Sequence, residues 1–272
     1  MTDLRLLAPK RDNLFTTIYA NNYFGVQQAI DADSIVKTIR TATKSGRTTK
    51  DQERWLIIAL GRSLLKIANS TGHFAQFLKP KSSSFKRYLA LRRRYLWAEW
   101  LFSIGQLEPV GTMDWRSQNR VYNIDALLLL PELRLSNLLP SVVYADPPYT
   151  DDQYSRFYHL LDTLVLYDYP EVSGAGLYRA GRFTTPFSLR SKAVGALDKL
   201  AGSSVALGAD LILSYPSNGL IHEAGAKPEA ILKRYYRKVE CCYSLSHRHS
   251  TFGASKGPAT SNVTELIYLA QS

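Results

Sequence analysis

Ser141-Val142-Val143-Tyr144-Ala145-Asp146-Pro147-Pro148-Tyr149 decides how the rest of the chain is read. Val and Tyr favour a strand, and two prolines end it because neither has an N–H to give to a ladder. A carboxylate, a rigid turn and an aromatic ring are thus expected at the end of a buried strand, where open α/β sheets bind ligands. Asp146 can accept a hydrogen bond from an NH2 group, the Pro147 carbonyl can accept a second, and Tyr149 offers a face for stacking. Together they suit a flat, amine-bearing heterocycle such as a base taken out of a duplex. A tight turn after a strand would need the same residues for structure alone, but that tetrapeptide is rare enough to favour chemistry.

The chain of 272 residues is long enough for one α/β domain with a large insertion, or for two small domains. Its formal charge of +11 points to a polyanionic partner. Cys241 and Cys242 are adjacent and cannot frame a disulfide fold, which reads as a reduced, intracellular protein. No Cys/His spacing indicates zinc, and no apolar run reaches membrane-spanning length.

The charge is clustered. Lys79, Lys81, Lys86, Arg87, Arg92, Arg93 and Arg94 fall in one stretch without an acid, interleaved with Phe85, Tyr88, Tyr95, Trp97 and Trp100. Phosphate-binding cations beside stacking faces fit nucleic-acid contact; a solvated helix with its apolar stripe on the core is the plainer alternative. Arg248 and Lys256, in a Gly- and Ser-rich stretch with His247 and His249, make a second basic candidate. Earlier, Gln27–Arg40 reads as an amphipathic helix, and Thr49 with Gln52 as a capping box for a helix over 51–69 whose apolar residues run round most of its circumference. Arg120–Asp125 reads as a short strand before an Ala126–Leu130 helix, with Asp125 suited to the N-cap. The stripe Tyr154, Phe157, Tyr158, Leu161, Leu164, Val165 predicts another helix, with Arg156 and His159 turned away from its core face. Leu211–Tyr215 reads as a buried strand whose Ser-Tyr-Pro-Ser-Asn-Gly exit should lie beside the Asp-Pro-Pro-Tyr turn, where Ser214 or Asn218 would either line a pocket or serve the turn alone. Val239–Ser246 and Val263–Leu269 read as paired strands. Gly174-Ala175-Gly176 is not a dinucleotide turn, since no helix opens after it.

Asp146-Pro147-Pro148-Tyr149 resembles the catalytic motif of amino-group DNA methyltransferases of the N6-adenine type. The stretches 154–163, Asn69–Phe74, 214–220 and 263–269 are similar to segments of one branch of these adenine methylases, in the family's order. The resemblance implies a Rossmann-like α/β methyltransferase core with a mainly helical DNA-recognition insertion. It divides the chain into an N-terminal helical part of the core (1–69), a basic target-recognition insertion (70–118) and a catalytic α/β part (119–272). It implies double-stranded DNA as substrate, S-adenosyl-L-methionine as cofactor and a cytoplasmic enzyme. Asp146, Pro147, Pro148 and Tyr149 would be catalytic, with Asp125 and Asp146 near the cofactor and no metal. Members of the family open with a strand and a Phe-x-Gly-x-Gly-like turn that hold the cofactor; residues 1–18 carry no such turn, so the core is expected to be incomplete at its N-terminus. The chain would then be part of a split enzyme or a fragment of a longer product; a second polypeptide supplying those strands, or self-association, would cover an exposed sheet edge. A non-catalytic DNA-binding subunit is the alternative; an RNA or protein-glutamine methyltransferase fits the basic insertion less well.

Overall fold

A computed structural model describes residues 13–250 and 260–272, with side chains left out for 247–250 and 260–262. In chain order the helices are Leu14–Ile18 (α1), Val26–Lys44 (α2), Lys50–Ile67 (α3), Phe85–Arg92 (α4), Leu96–Gly105 (α5), Met113–Ser117 (α6), Ala126–Leu135 (α7), Ser155–Leu166 (α8), Arg190–Ala206 (α9), Leu220–Glu223 (α10) and Pro228–Leu232 (α11). The strands are Val142–Ala145 (β1), Val172–Ser173 (β2), Tyr178–Arg179 (β3), Asp210–Pro216 (β4), Lys238–Ser250 (β5) and Thr260–Gln271 (β6). The chain is mixed α/β, and it forms two compact units: 1–111 with 155–182, and 112–154 with 183–272. These do not follow the 69/70 and 118/119 boundaries read from the sequence. The reason lies in the cores: α8, after the Pro-Pro turn, shares its apolar side chains with α1, α2, α3 and α5 rather than with the sheet.

The first unit is helical, with the small β2–β3 hairpin. Asn13–Tyr23 and α2 surround a fully buried aromatic group, Phe15, Tyr19, Tyr23, Phe24 and Phe74, with rings at 5.5 to 6.2 Å. The capping box forms as expected: Gln52 N donates to Thr49 Oγ1 at 3.1 Å and Thr49 N to Gln52 Oε1 at 2.8 Å. α3, however, is not wrapped on all sides. Leu60, Leu64 and Ile67 are buried, at about 1.5–3 kcal/mol each, while Trp55 and Ile58 stay 42% and 50% exposed. Helical periodicity lets only one face meet this core. On α8, Phe157 and Leu164 are buried as the spacing predicts, but Tyr158 and Val165 are exposed, and Leu160, outside the expected stripe, is fully buried. Gly174 sits at φ +71° in the β2–β3 turn, so the Gly-Ala-Gly run is a hairpin and not a cofactor loop.

The second unit is a four-stranded sheet in the order β1-β4-β6-β5, with β1 parallel to β4 and the other pairs antiparallel. Its core is built on α9 and β4: Ala193, Leu197, Ala201, Leu211, Leu213 and Tyr215 are all buried. The β5–β6 pairing matches the sequence expectation. Two other expectations are corrected. Arg120–Asp125 is not a strand; Val121 is 97% exposed, and no strand pairs with the segment among the described residues. β1 is not buried either, with Val142 and Tyr144 48% and 62% exposed and only Ala145 inside. Apolar side chains mark β1 as a strand, but its place at the sheet edge leaves one side without a neighbour.

Candidate active site

β1 runs into Asp146 at its C-terminal end, and the two prolines turn the chain there. β1 pairs with β4 from Val142↔Asp210 to Ala145↔Leu213, and Asp146 and Ser214 are the residues that follow that last pair. Ser214 Oγ donates to Glu265 Oε1 on β6 at 2.8 Å. The Tyr149 carbonyl accepts from Leu220 N at 2.9 Å, which ties the end of the motif to the exit of β4. That exit is itself folded back: the Tyr215 hydroxyl accepts from Ile221 N at 3.1 Å, and the ring lies where a Cβ at position 219 would be, so only glycine fits there. Ser214 is buried and Asn218 exposed.

A cavity of about 560 Å³ lies beside the turn. Asp146, Pro147 and Pro148 form one side, Asn123 and Asp125 another, and Phe187 and Leu200 supply apolar walls. Asp125 and Asp146, 21 positions apart in sequence, therefore face one space. Asp125 is also the N-cap of α7, accepting from Leu127 N at 2.9 Å, so a capping role and a place on the cavity coexist. Its second oxygen accepts no hydrogen bond among the described residues. No lining residue is cationic. Asp146 makes no hydrogen bond among the described residues, and its carboxyl is held above the usual range, first by desolvation and then by the charge of Glu265. The Tyr149 phenol is raised by desolvation, Glu265 and Asp146 in that order. Glu265 escaped sequence reading as a site residue because it sits mid-strand; an acid between Val263 and Tyr268 in an apolar run was the available signal.

The basic stretch divides into two kinds of side chain. Lys79, Lys81, Lys86 and Arg93 are exposed and carry no hydrogen bond or ion pair among the described residues. Arg87, Arg92 and Arg94 are engaged by the fold. Arg92 donates to the Tyr23 and Asn22 carbonyls, both at 3.0 Å, and lies 4.7 Å over the Tyr88 ring. Arg87 donates to the Ser70 carbonyl at 3.1 Å, and Arg94 reaches the Lys66 carbonyl at 3.3 Å and Glu99 at 3.7 Å. Phe85 is half-exposed and stacks on Tyr88 at 6.2 Å. The Arg248 side chain and all of Lys256 lie outside the described residues.

His159 does not turn outward as expected. It is fully buried, its Nε2 donates to the Phe74 carbonyl at 2.9 Å, and burial pushes its pKa down to about 4. Arg156 bonds the Tyr178 hydroxyl at 2.9 Å rather than reaching away from the unit. His73 is buried, with Nδ1 accepting from Ala75 N at 3.2 Å and its ring 4.7 Å from Phe157. Among the described residues no group of three or more His, Cys, Asp or Glu could hold a metal, and no helix is long and apolar enough to cross a membrane.

Residues 117–207 match the family model for D12 class N6 adenine-specific DNA methyltransferases, a span that contains Asp125 and the whole Asp-Pro-Pro-Tyr turn. The chain is 28% identical over 181 residues to modification methylase LlaI of Lactococcus lactis subsp. lactis, covering 66% of this chain and 26% of that protein. It is 25% identical to modification methylase StsI of Streptococcus sanguinis over 74% of this chain and 28% of that one. It is 28% identical to type II methyltransferase M.FokI of Planomicrobium okeanokoites over 78% and 29%. The chain thus spans under a third of the length of these relatives. No solved structure matches. These matches bear out the resemblance to N6-adenine DNA methylases read from the sequence.

Proposed function

We propose that the chain carries the acceptor-base half of an adenine N6-methyltransferase acting on double-stranded DNA, in the cytoplasm, with S-adenosylmethionine as methyl donor. The observation that carries this is an unbonded carboxylate, Asp146, and the Pro147 carbonyl beside it at a strand end that opens on an acidic cavity. In this reading Asp146 and Pro147 accept the two N–H bonds of a flipped adenine amine and orient the nitrogen lone pair. Tyr149 stacks on the ring. Catalysis comes mainly from holding that nitrogen in line, with water excluded by the apolar walls.

The cavity fits the cofactor in size and sign. Asp125 and Asp146 are its charged lining and suit a cationic sulfonium and ammonium, while Phe187 and Leu200 suit an adenosyl ring. When bound, S-adenosylmethionine supplies an electrophilic methyl group. Asp125 would hold its adenosyl part. We read the sheet as the C-terminal half of a Rossmann-like core, with residues 70–118 as the target-recognition insertion. The cofactor site would be completed by further strands pairing along the free edge of β1. The exposed Val142 and Tyr144 support this, being apolar where a finished edge would carry charge. Lys79, Lys81, Lys86 and Arg93 would grip the DNA backbone.

The test is calorimetry with S-adenosylmethionine and methyl transfer to duplex DNA, first with this chain alone and then with any co-encoded methyltransferase fragment. Binding and transfer in either setting support the reading. DNA binding without cofactor binding in both settings would favour a non-catalytic specificity subunit, the alternative that the open edge of the cofactor side allows.

A further inference from the structure

The catalytic turn has a neighbour that its motif does not include. Asp146 and Ser214 directly follow the last β1–β4 pair, Ala145↔Leu213, and the Ser214 hydroxyl is bonded at 2.8 Å to the Glu265 carboxylate. Three adjacent strands, β1, β4 and β6, thus contribute an acid, a hydroxyl and an acid at the same end of the sheet. Neither Ser214 nor Glu265 lines the cavity that Asp146 faces. We propose that Glu265 is a positioning residue for Asp146: anchored by Ser214, it sets a second negative charge behind the Asp146 carboxylate and makes it a stronger proton acceptor for the reacting amine.

The chemistry rests on the methylation reading above. The amine nitrogen forms a bond to the methyl carbon while the pair of the breaking S–C bond stays on sulfur. The nitrogen, now positive, loses one N–H proton, which passes to the Asp146 carboxylate and then to water. An ordinary exposed aspartate is a weak base for this. A like charge nearby, in a partly desolvated setting, raises proton affinity. Ser214, itself buried, fixes the Glu265 carboxylate in place by donating to it. The Tyr149 phenol, on the same turn, is raised by desolvation first and by the same Glu265 charge second. The other titratable groups near Asp146 are Tyr149 on its own turn and Asp125, Tyr144 and Tyr154 around the cavity; none is a cation that would cancel the effect.

The test is a carbon-13 NMR titration of the whole chain carrying labelled aspartate, with the Asp146 signal assigned by its loss in D146N. In E265Q, which keeps the shape and the Ser214 hydrogen bond, the Asp146 midpoint is expected to move to lower pH than in the wild-type chain. S214A, which releases Glu265 from its anchor, is expected to move it the same way by less, and it serves as the readout should E265Q fail to fold. An Asp146 midpoint unchanged or raised in the folded variant overturns the proposal. In methyl transfer, the acidic limb of the pH–rate profile should shift with the midpoint, which loss of packing alone would not produce. The titration needs neither cofactor nor DNA, so a failure of the methylation reading would appear separately, as a wild-type chain whose Asp146 midpoint responds to E265Q but which transfers no methyl group.

Discussion

The helical unit and the sheet unit treat buried charge in opposite ways. In the first, Asp33 is 3% exposed and saturated: it accepts from Phe15 N at 2.8 Å, Thr16 N at 2.9 Å, and the Thr16 and Tyr167 hydroxyls, both at 2.7 Å. Arg92 is clamped by two carbonyls, and His159, held neutral, donates to one. In the sheet unit, Asp146 faces a cavity with no partner, and its neighbour adds charge of the same sign. The lesson is that perturbed titration alone does not mark a site. Asp33 and Asp146 are both raised chiefly by desolvation, yet Asp33 is raised against four hydrogen bonds that close it off, whereas Asp146 has room for a ligand.

The sharpest way to break this contrast is D146A. Methyl transfer should fall by at least about a hundredfold, with the thermal midpoint and DNA affinity unchanged; retained transfer would remove Asp146 from the site. D33A should do the reverse. Four donors lose their acceptor, at a cost of about 3–5 kcal/mol, measured as a lower denaturant midpoint; a near-neutral result would make Asp33 a poor foil for Asp146.

His159 gives the comparison a pH dependence. Its folded pKa of about 4 lies below the ordinary 6.5. Above pH 6.5 both states are neutral there, and stability is complete. As pH falls from 6.5 to 4 the unfolded chain binds a proton that the folded chain refuses, so stability drops by up to about 3 kcal/mol. H159F should flatten that window in urea titrations at successive pH values; an unchanged slope would place the dependence elsewhere. The smallest effect tests the two kinds of arginine. R93E should weaken duplex binding and lower the salt slope by about one charge without touching stability, whereas R92E should lower stability. Equal behaviour of the two would erase the distinction between exposed and clamped cations.

Much of this was legible in one dimension. The Asp-Pro-Pro-Tyr turn after a strand, the capping box on α3, the β5–β6 pair and the α8 stripe follow from local rules: proline has no donor, Thr and Gln can cap reciprocally, and periodicity selects a face. What misled was context. Arg92 and Lys86 look alike in a basic run; only the turn at Asn22 and Tyr23 beneath Arg92 separates them. His159 reads as an outward residue until the Phe74 carbonyl is seen beside it.

The sequence alone determined the composition of the candidate site: which acid, which carbonyl and which ring stand together, because they are contiguous and their geometry is covalent and local. Tertiary structure alone decided what surrounds them. That Asp125 shares a cavity with Asp146, that Glu265 is bonded to Ser214 one strand away, and that β1 is an edge are consequences of strand order and register, which long-range pairing sets and no local pattern encodes.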